Sequence, residues 1–577
     1  MRSRKTVAPV QVVDAALHHF HDQWQAVVDP LGMSAPIMHA HLAWLAHPQE
    51  LMENMVAFSG QLWALQWHSL RRMIGAVSES PIQPHEDDTR FNDPVWTDSA
   101  TWDLVKSWYL LTTRHTQDML YNTPGLSNEN RRRAAFWWRN WLNAVAPTNF
   151  LLTNPVALRR ALETNGESLR QGWENYLADM QARMVRMSDP SGFKLGDNIA
   201  STPGQVVFRN RLLEVIHYAP RQKQVCAKPV VLITPWINKF YILDLNSRKS
   251  MVRYLLDQGL DVYITSWKNP DASMRDVTFD DYIVEGVDAI VRTACAQSGQ
   301  SSVHAVGYCI GGTALSIYMA WANKHFAPDA VPVSDWTLFT TMVDFRKPGD
   351  IEVFIDEGSV RYICDGMAKK GYLDGAQMAS AFRLLRSNSL IWHYVEHGWL
   401  YGEPPPAFDV LYWNMDTTRM PYAMHSWYLR ELYLHNRLIE SNALVVAGES
   451  IDLHCITQPL YMVAAEDDHI APWQQTFRIV HFVRGEKRFV LSSSGHILGI
   501  VNPPVNPPKR HYWVDTAHRA DRWEAWRERA EQKQGSWWED WMAWLKPRSG
   551  ERVPARPVET DQFPALADAP GTYVREP

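Results

Sequence analysis

The sequence predicts an α/β protein in which helices cover a parallel-dominated sheet and a helical domain precedes that sheet. Residues 10 to about 190 carry apolar residues at helical spacing and few β-branched runs. From about Asn210, short β-rich apolar runs alternate with amphipathic stretches, a pattern typical of parallel strands joined by helices. The runs are Pro229-VVLIT, Leu260-DVYITSW, Ser302-VHAVG, Trp336-TLFTTMVD, Gln458-PLYMVAAE and Lys487-RFVLSSSG.

This pattern also predicts the domain organisation. Residues 1–205 form the helical N-terminal domain, and residues 206–548 form the catalytic domain. The stretch between the runs at Trp336 and Gln458 is far longer than one crossover connection needs. We therefore predict a helical cap over the strand ends at about 346–445. The stretch 549–577 is rich in proline and polar residues, and it is predicted to be a flexible tail.

The composition indicates a globular protein and excludes several classes. Of the 577 residues, 46% are hydrophobic and 21% are charged, and the net charge of −6 gives no reason to expect nucleic acid as a partner. The five cysteines lack C-x-x-C pairing, which argues against a disulfide framework or a zinc site and fits a reducing cytoplasm. Asp14 interrupts the apolar stretch near the start, so no signal peptide is predicted. No apolar run reaches the ~18 residues of a transmembrane segment.

Tryptophan is unusually frequent, with 27 residues. Many lie in clusters, such as Phe136-WW and the run from Trp537 to Trp544. Such clusters either pack in a core or form an amphipathic interfacial surface. Core packing is favoured because aromatic residues at helical spacing usually face a core. The run from Trp537 to Trp544 is nevertheless a candidate for docking on a surface or for pairing subunits.

The strongest local signal is Gly307-YCIG, between a predicted strand and a predicted helix. It matches the G-x-S-x-G nucleophile elbow of α/β-hydrolases, with cysteine in place of serine. The turn brings Cys309 to the sheet edge, where the helix N-terminus favours a thiolate. The N–H of Ile310 then points to a developing oxyanion, and Ile237, after the first core strand, is the candidate second donor. The alternative is a buried structural cysteine.

The order of an α/β-hydrolase places an acid after a later strand and a histidine after the last core strand. One predicted strand ends in Glu466-DDH and the next in Ser494-GH. His496 lies beside a glycine in a loop, so it can turn towards Cys309 and deprotonate it, unless it is a surface histidine. Physical reasoning alone leaves the acid open. The candidates are Glu466, Asp467, Asp468 and Asp344.

A set of long segments between about Arg90 and Leu545 carries a family resemblance. These segments are Arg90-FNDPVW, Ala146-PTNFLLTNPVALRRALETNG, Thr234-PWINKFYILDLN, Gly307-YCIGGT, Pro348-GDIEVFIDE, Tyr412-WNMDTTRMP, Trp427-YLRELYLHNRL, Glu466-DDHIAPW and Ser494-GHILGIVNPP. In this order they resemble the polyhydroxyalkanoate synthases, which make bacterial storage polyester.

The resemblance implies the site residues and the chemistry. It places the family's nucleophile on Cys309, its aspartate on Asp468 and its histidine on His496. It implies that Cys309 carries the growing polyester as a thioester, which the 3-hydroxyl of an incoming (R)-3-hydroxyacyl-CoA attacks. No metal or cofactor is expected, since CoA is the leaving group of the substrate. Tyr308 and Ile310 resemble the single-subunit branch that favours short monomers such as 3-hydroxybutyryl-CoA.

Further expectations concern location and partners. A water-insoluble product implies a cytoplasmic enzyme associated with the surface of polyester granules, and a homodimer is expected. One alternative is a hydrolase of the same fold, either a thioesterase or an intracellular polyester depolymerase, which would release free hydroxy acids. The other is a non-catalytic granule-coating protein. That alternative gives no reason for Cys309, Asp468 and His496 to occur in hydrolase order.

Overall fold

The computed structural model describes residues 33–577, which divide into two compact units. The first unit contains the described residues up to Asp189, together with Asp356–Tyr362 and Ser380–Pro406. The second contains Pro190–Ile355, Ile363–Ala379 and Ala407–Pro577. The predicted domain boundary at 205 thus falls at Asp189, and part of the predicted cap belongs to the helical unit. Residues 1–32, for which no signal peptide is predicted, lie outside the described residues.

The second unit is built on a large mixed sheet. In chain order, the strands are β1 (Gly204–Arg209), β2 (Leu213–Tyr218), β3 (Gln224–Cys226), β4 (Val230–Ile233), β5 (Val262–Trp267), β6 (Val303–Tyr308), β7 (Val333–Phe339), β8 (Tyr372–Leu373), β9 (Met420–Pro421), β10 (Leu444–Val446), β11 (Glu449–Ile451), β12 (Leu460–Ala465), β13 (Lys487–Ser492), β14 (His511–Thr516), β15 (Glu531–Gln534), β16 (Arg552–Pro554) and β17 (Ala567–Asp568). The eleven-stranded sheet has the order β15-β14-β13-β12-β7-β6-β4-β5-β2-β1-β17.

The centre of this sheet confirms the predicted parallel arrangement. Strands β5, β4, β6, β7, β12 and β13 pair in parallel. They correspond to the six predicted runs, and nearly all of their residues are buried, as expected for strands covered on both faces. The flanking strands β2, β1, β17, β14 and β15 pair antiparallel.

Helices connect these strands and form most of the first unit. The α-helices before Asp189 are Ala35–Ala46, Pro48–Met73, Val95–Asp98, Ala100–Tyr121, Asn128–Ala144, Pro155–Glu163 and Glu167–Ala182. Those of the remaining chain are Met251–Asp257, Phe279–Asp281, Ala289–Ser298, Ile310–His325, Glu357–Lys370, Gly375–Leu385, His393–Val395, Asp409–Met415, Tyr422–Trp427, Trp473–Phe477, Trp523–Arg529 and Trp537–Leu545. Within residues 33–577, π-helical segments occur at Tyr282–Asp288, Asn388–Trp392, Glu396–Leu400 and Tyr428–Leu434.

The tryptophan cluster near the carboxyl end is part of the core. Trp537, Trp538 and Trp541 have no exposed surface, and Trp544 is 7% exposed. The Trp541 indole donates a hydrogen bond of 3.0 Å to Thr337 Oγ1 in β7. The prediction of core packing is therefore confirmed, and the prediction that this cluster docks on polymer or pairs subunits is wrong, because its rings are already covered.

The stretch 549–577 is not the flexible tail that its composition suggests. β16 pairs with β3, and β17 extends the large sheet by pairing with β1. Arg556 also contacts the buried carboxylate of Asp261 at 2.8 Å. Backbone pairings and the ion pairs of Arg556 with Asp261 and of Glu576 with Lys268 thus fix a segment that has little apolar side-chain surface of its own.

The helical unit has its own small core. Its buried centre includes Phe91 and Trp96, whose rings meet edge to face at 5.1 Å. Asp103 joins the helices through polar contacts: it accepts a hydrogen bond from His68 Nε2 at 2.7 Å and forms an ion pair with Lys106, whose Nζ lies 2.9 Å away. No helix among residues 33–577 is long and apolar enough to cross a bilayer.

One face of the helix Pro48–Met73 leaves large apolar side chains in solvent. The residues are three, four or seven positions apart, so they lie along one side of the helix and continue to the residue that ends it. Each is between 50 and 75% exposed. This apolar stripe consists of Met52, Val56, Trp63, Trp67, Leu70 and Ile74.

Candidate active site

Cys309 occupies the sharp turn between β6 and the helix Ile310–His325. Its backbone has φ 52° and ψ −123°, a strained conformation for a residue with a side chain. The Cys309 N–H donates to the Phe339 carbonyl of the neighbouring strand β7 at 2.9 Å. Its own carbonyl accepts from Thr313 N at 3.0 Å. The strained turn is therefore held by hydrogen bonds on both sides, as the elbow motif predicts.

Two glycines make this turn possible. A Cβ on Gly307 would lie 2.5 Å from Gly312 Cα, and a Cβ on Gly311 would lie 2.6 Å from the Ile233 carbonyl oxygen. Both distances are below any normal contact, so neither position accepts a side chain. The second contact also shows that the turn presses against the end of β4, where the candidate oxyanion loop begins.

His496 and Asp468 come together at the same edge of the sheet. Asp468 follows β12 and His496 follows β13, and these strands are neighbours. His496 Nδ1 donates to Asp468 Oδ2 at 2.6 Å, and the His496 ring lies close enough to Cys309 for the charge of that side chain to act on it. Asp468 and His496 are buried, with 6 and 7% of their surface exposed, while Cys309 is partly buried. The three predicted catalytic residues thus form one connected group.

The electrostatics of this group favour a charged histidine. Burial lowers the pKa of His496, but the negative charges of Asp468 and Cys309 outweigh it and raise that pKa to about 10. The other oxygen of Asp468, Oδ1, accepts from the backbone N–H groups of Ile470 and Ala471, both at 2.9 Å. The carboxylate is therefore fixed on both sides and orients the imidazole.

The remaining candidate acids lie in different environments. Glu466 and Asp467 are exposed at the strand end. Asp344 lies five residues beyond the end of β7, and its side chain is fully buried. It is held by Arg346 at 2.8 Å, by Asn436 at 2.9 Å and by Arg478. Asp344 is therefore part of a structural ion-pair network and does not contact His496.

Side chains that sequence reasoning did not assign hold the histidine loop in place. The Tyr308 hydroxyl donates to the His496 carbonyl at 3.1 Å, and the two rings stack with their centroids 5.8 Å apart. The indoles of Trp537 and Trp538 donate to the carbonyls of Gly499 and Ile500, at 2.8 and 2.9 Å. Three aromatic side chains therefore anchor this loop by its backbone.

Two further tyrosines lie near the nucleophile. The rings of Tyr428 and Tyr433 meet edge to face, with their centroids 5.3 Å apart. Burial, followed by the negative charge of Cys309, raises the pKa of Tyr433 above its usual value. Both residues belong to a π-helical segment within the predicted cap. The sequence offered the segment Trp427-YLRELYLHNRL as a signal, without a role for either phenol.

The predicted oxyanion donors lie in suitable segments. Ile310 is the first residue of its helix, where the N–H has no partner within the helix. Ile237 lies after β4, and its carbonyl accepts from Thr418 N at 3.1 Å. The Trp267 indole fixes the start of the same loop by donating to the Thr234 carbonyl at 2.8 Å. The pairing of Ile310 and Ile237 in an oxyanion hole stays a prediction.

Among the five cysteines, we expect Cys309 alone to react rapidly with iodoacetamide near neutral pH. Burial raises the pKa of Cys226 and of Cys455, and it raises the pKa of Cys295 to about 11. Cys364 is buried, whereas Cys309 is partly accessible beside a charged histidine. Mass spectrometry of briefly labelled protein measures the distribution. Equal labelling of all five thiols would contradict the expectation.

Over residues 33–577, no three His, Cys, Asp or Glu side chains lie close enough to hold a metal ion.

Comparison with known proteins gives a consistent picture. Residues 87–255 match the family model for the N-terminus of poly-beta-hydroxybutyrate polymerase, and residues 228–503 match that of the alpha/beta hydrolase fold. The sequence is 42% identical to the poly(3-hydroxyalkanoate) polymerase of Methylorubrum extorquens over 538 residues, 92% of this chain and 88% of that protein. It is 37% identical to a poly(3-hydroxyalkanoate) polymerase subunit of Cupriavidus necator, over 85% of this chain and 83% of that protein.

Proposed function

The chain belongs to the poly(3-hydroxyalkanoate) polymerases, which are acyltransferase-type enzymes, and we propose that it makes its polyester through a thioester on Cys309. The observation that carries this proposal is the connected group of Cys309, His496 and Asp468 at the end of the nucleophile elbow. The proposed substrate is an (R)-3-hydroxyacyl-CoA, and the released product is CoA.

In the first step, the Cys309 thiolate attacks the carbonyl carbon of the substrate thioester. The tetrahedral oxyanion is placed against the N–H groups of Ile310 and Ile237. It collapses as the bond to the CoA sulfur breaks, and protonated His496 gives its proton to that leaving sulfur. The exchange of one thioester for another is close to isoenergetic, so the acyl group on Cys309 stays activated.

The second step uses the same histidine as a base. Acylation removes the negative charge of Cys309, which helps to keep His496 protonated. His496, left neutral by the first step, can then accept the proton of the incoming 3-hydroxyl, whose oxygen attacks the carbonyl carbon of the Cys309 thioester. The C–O ester bond forms as the C–S bond to Cys309 breaks, and the released Cys309 thiolate lies beside the protonated His496. A repeat of the first step then returns the lengthened chain from CoA to Cys309. Both oxygens of Asp468 already accept hydrogen bonds, one from two backbone N–H groups and the other from His496. These contacts support an orienting role for Asp468. No cofactor is needed in either step.

Purified protein incubated with (R)-3-hydroxybutyryl-CoA should release CoA and form insoluble polyester in equal monomer equivalents. Chain-length preference should be graded, with C4 and C5 substrates ahead of C8 and C10, because each methylene in an apolar pocket changes binding by only ~1 to 3 kcal/mol. Release of CoA with free 3-hydroxybutyrate and no polymer would identify a hydrolase. Best turnover with C8 or C10 would overturn the proposed preference for short monomers.

We also propose that the protein works in the cytoplasm on the surface of its polyester granule, with the apolar stripe as the contact. The stripe joins two exposed tryptophans and four aliphatic side chains on one face of a single helix. The polyester that the enzyme is proposed to make presents an apolar, water-insoluble surface. Contact with it would remove this side-chain area from water, which is favourable.

Trp63→Gln combined with Trp67→Gln should weaken binding to isolated polyester particles by about tenfold or more, since burying one large apolar side chain contributes ~1.5 to 3 kcal/mol. Trp173→Gln is the matched control, because Trp173 is 60% exposed in the same unit but lies outside the stripe. Sedimentation with particles measures binding. Normal particle binding combined with a change from dimer to monomer would assign the stripe to subunit pairing.

A further inference from the structure

The helical unit contains a cavity that the polymerisation chemistry does not use. It has a volume of about 540 Å³ and is enclosed by residues of the first unit only. One wall begins in the family segment Arg90-FNDPVW, and the opposite wall is formed by residues of the segment 388–401. The segment resemblance gives these residues no role in catalysis, and Cys309, His496 and Asp468 are not among the residues that line the cavity.

A buried carboxylate forms part of the cavity wall. Glu396 is 6% exposed, and its Oε1 accepts from Asn154 Nδ2 at 2.9 Å and from the Tyr401 hydroxyl at 2.6 Å. Its second oxygen, Oε2, makes no hydrogen bond to any side chain or backbone group in the described part of the chain. Burial raises the pKa of Glu396, and the hydrogen bonds it receives come from neutral groups. A rigidly held carboxylate therefore has one open oxygen and no bonded cation.

Other groups on the wall are also acceptors. Asn388 Oδ1 is buried and has no partner among the described residues. The His397 Nδ1–H donates to Glu403 at 2.6 Å, which fixes the ring and leaves a lone pair on Nε2 when the ring is neutral. Buried acceptors without donors are rare in native proteins and call for a partner.

The cationic groups of the wall are already neutralised. The Arg90 guanidinium donates twice to Asp88, at 2.8 Å each, and to the Tyr109 hydroxyl at 3.1 Å. On the same wall, Asp93 is paired with Arg159 at 2.6 Å. The cavity thus presents open acceptors and the carboxylate of Glu396, while the guanidinium groups near it are already paired with Asp88 and Asp93.

We propose that this cavity binds a small organic cation, whose ammonium group donates hydrogen bonds to Glu396 Oε2 and to the neighbouring acceptors Asn388 Oδ1 and His397 Nε2. Negative ligands are disfavoured by the carboxylates, and the cavity is much larger than a single ion. A protein-held metal is disfavoured because three suitable ligands do not converge in the described chain. An ammonium group supplies several N–H donors and the missing charge together.

Isothermal titration of the full-length protein with putrescine tests this proposal without any use of polymerase activity. We expect one binding site in the wild type. Glu396→Gln keeps the shape and the acceptor for Asn154 and Tyr401, but its amide turns a donor towards the ligand, so affinity should fall by about tenfold or more. Asp118→Asn is the control, because Asp118 is an exposed carboxylate of the same unit outside the cavity, and it should bind as the wild type does.

Three results would overturn the proposal. They are a wild type that does not bind putrescine at millimolar concentration, a Glu396→Gln variant that binds as the wild type does, and an equal rise in unfolding temperature when MgCl₂ replaces putrescine. The last result would mean that any cation stabilises the protein to the same extent as an organic ammonium group. If Glu396→Gln fails to fold, Asn388→Ala takes its place, and unchanged putrescine affinity in that variant would equally overturn the proposal.

Discussion

Cys309→Ala is expected to lose polymer formation by a factor of about 10⁶, or to below detection, because the covalent carrier is removed. Cys309→Ser should retain only a trace, since a hydroxyl is a much weaker nucleophile than a thiolate near neutral pH. Release of CoA from (R)-3-hydroxybutyryl-CoA measures both variants. The control is Cys295→Ser, at a thiol whose pKa is raised by burial and which lies away from the elbow. That variant should keep most of its activity.

The same substitution should change how stability depends on pH. Because the folded pKa of His496, about 10, lies above the ordinary value of about 6.5, its charged form stabilises the fold fully below about pH 6.5. This contribution is lost as the pH rises towards 10. Cys309→Ala removes one of the two charges that raise the pKa, so it should lose less stability over this range. Urea unfolding from pH 6 to pH 10 measures the difference, and identical profiles would contradict the charge assignment.

Asp468→Asn should reduce turnover by a factor of about 10⁴, because an amide no longer fixes the His496 tautomer or stabilises its charged form. The variant should still be acylated at Cys309 by one substrate equivalent, while extension of the chain fails. Mass spectrometry of the intact protein detects the acyl group, and CoA release measures turnover.

Two neighbouring carboxylates serve as controls for Asp468. Asp467→Asn should keep most of its activity because Asp467 is exposed. Asp344→Asn should lower the unfolding temperature, because it leaves Arg346 and Arg478 without their buried partner, while the folded fraction keeps its turnover. An inactive Asp467→Asn beside an active Asp468→Asn would show that the wrong carboxylate was chosen.

The central sheet could be predicted because each parallel strand is buried on both faces and is therefore an apolar run in the sequence. β15 could not, because its residues are polar and largely exposed, and its pairing with β14 depends on backbone hydrogen bonds. The segment 549–577 was missed for the same reason. A strand as short as β17 carries no periodicity, and only the three-dimensional position of β1 gives it a partner.

The catalytic group could be predicted from chain order and glycine spacing, since the elbow has a strict local geometry. The side chains that hold the His496 loop in place could not be predicted in this way. From the sequence, Tyr308 is predicted only to favour short monomers, yet its hydroxyl and ring hold the histidine loop. Likewise, the assignment of Ser380–Pro406 to the helical unit depends on long-range packing, for which a helical pattern within the cap gives no signal.

The anchoring of the histidine loop by Trp537 and Trp538 has a consequence for how the enzyme is made. The loop is synthesised some 40 residues before the helix whose indoles hold it. In the order of synthesis, Cys309, Asp468 and His496 therefore all precede the indoles that hold the loop of the base. A chain that ends before Trp537–Leu545 is therefore expected not to consume hydroxyacyl-CoA, because the loop that carries His496 lacks these two anchors.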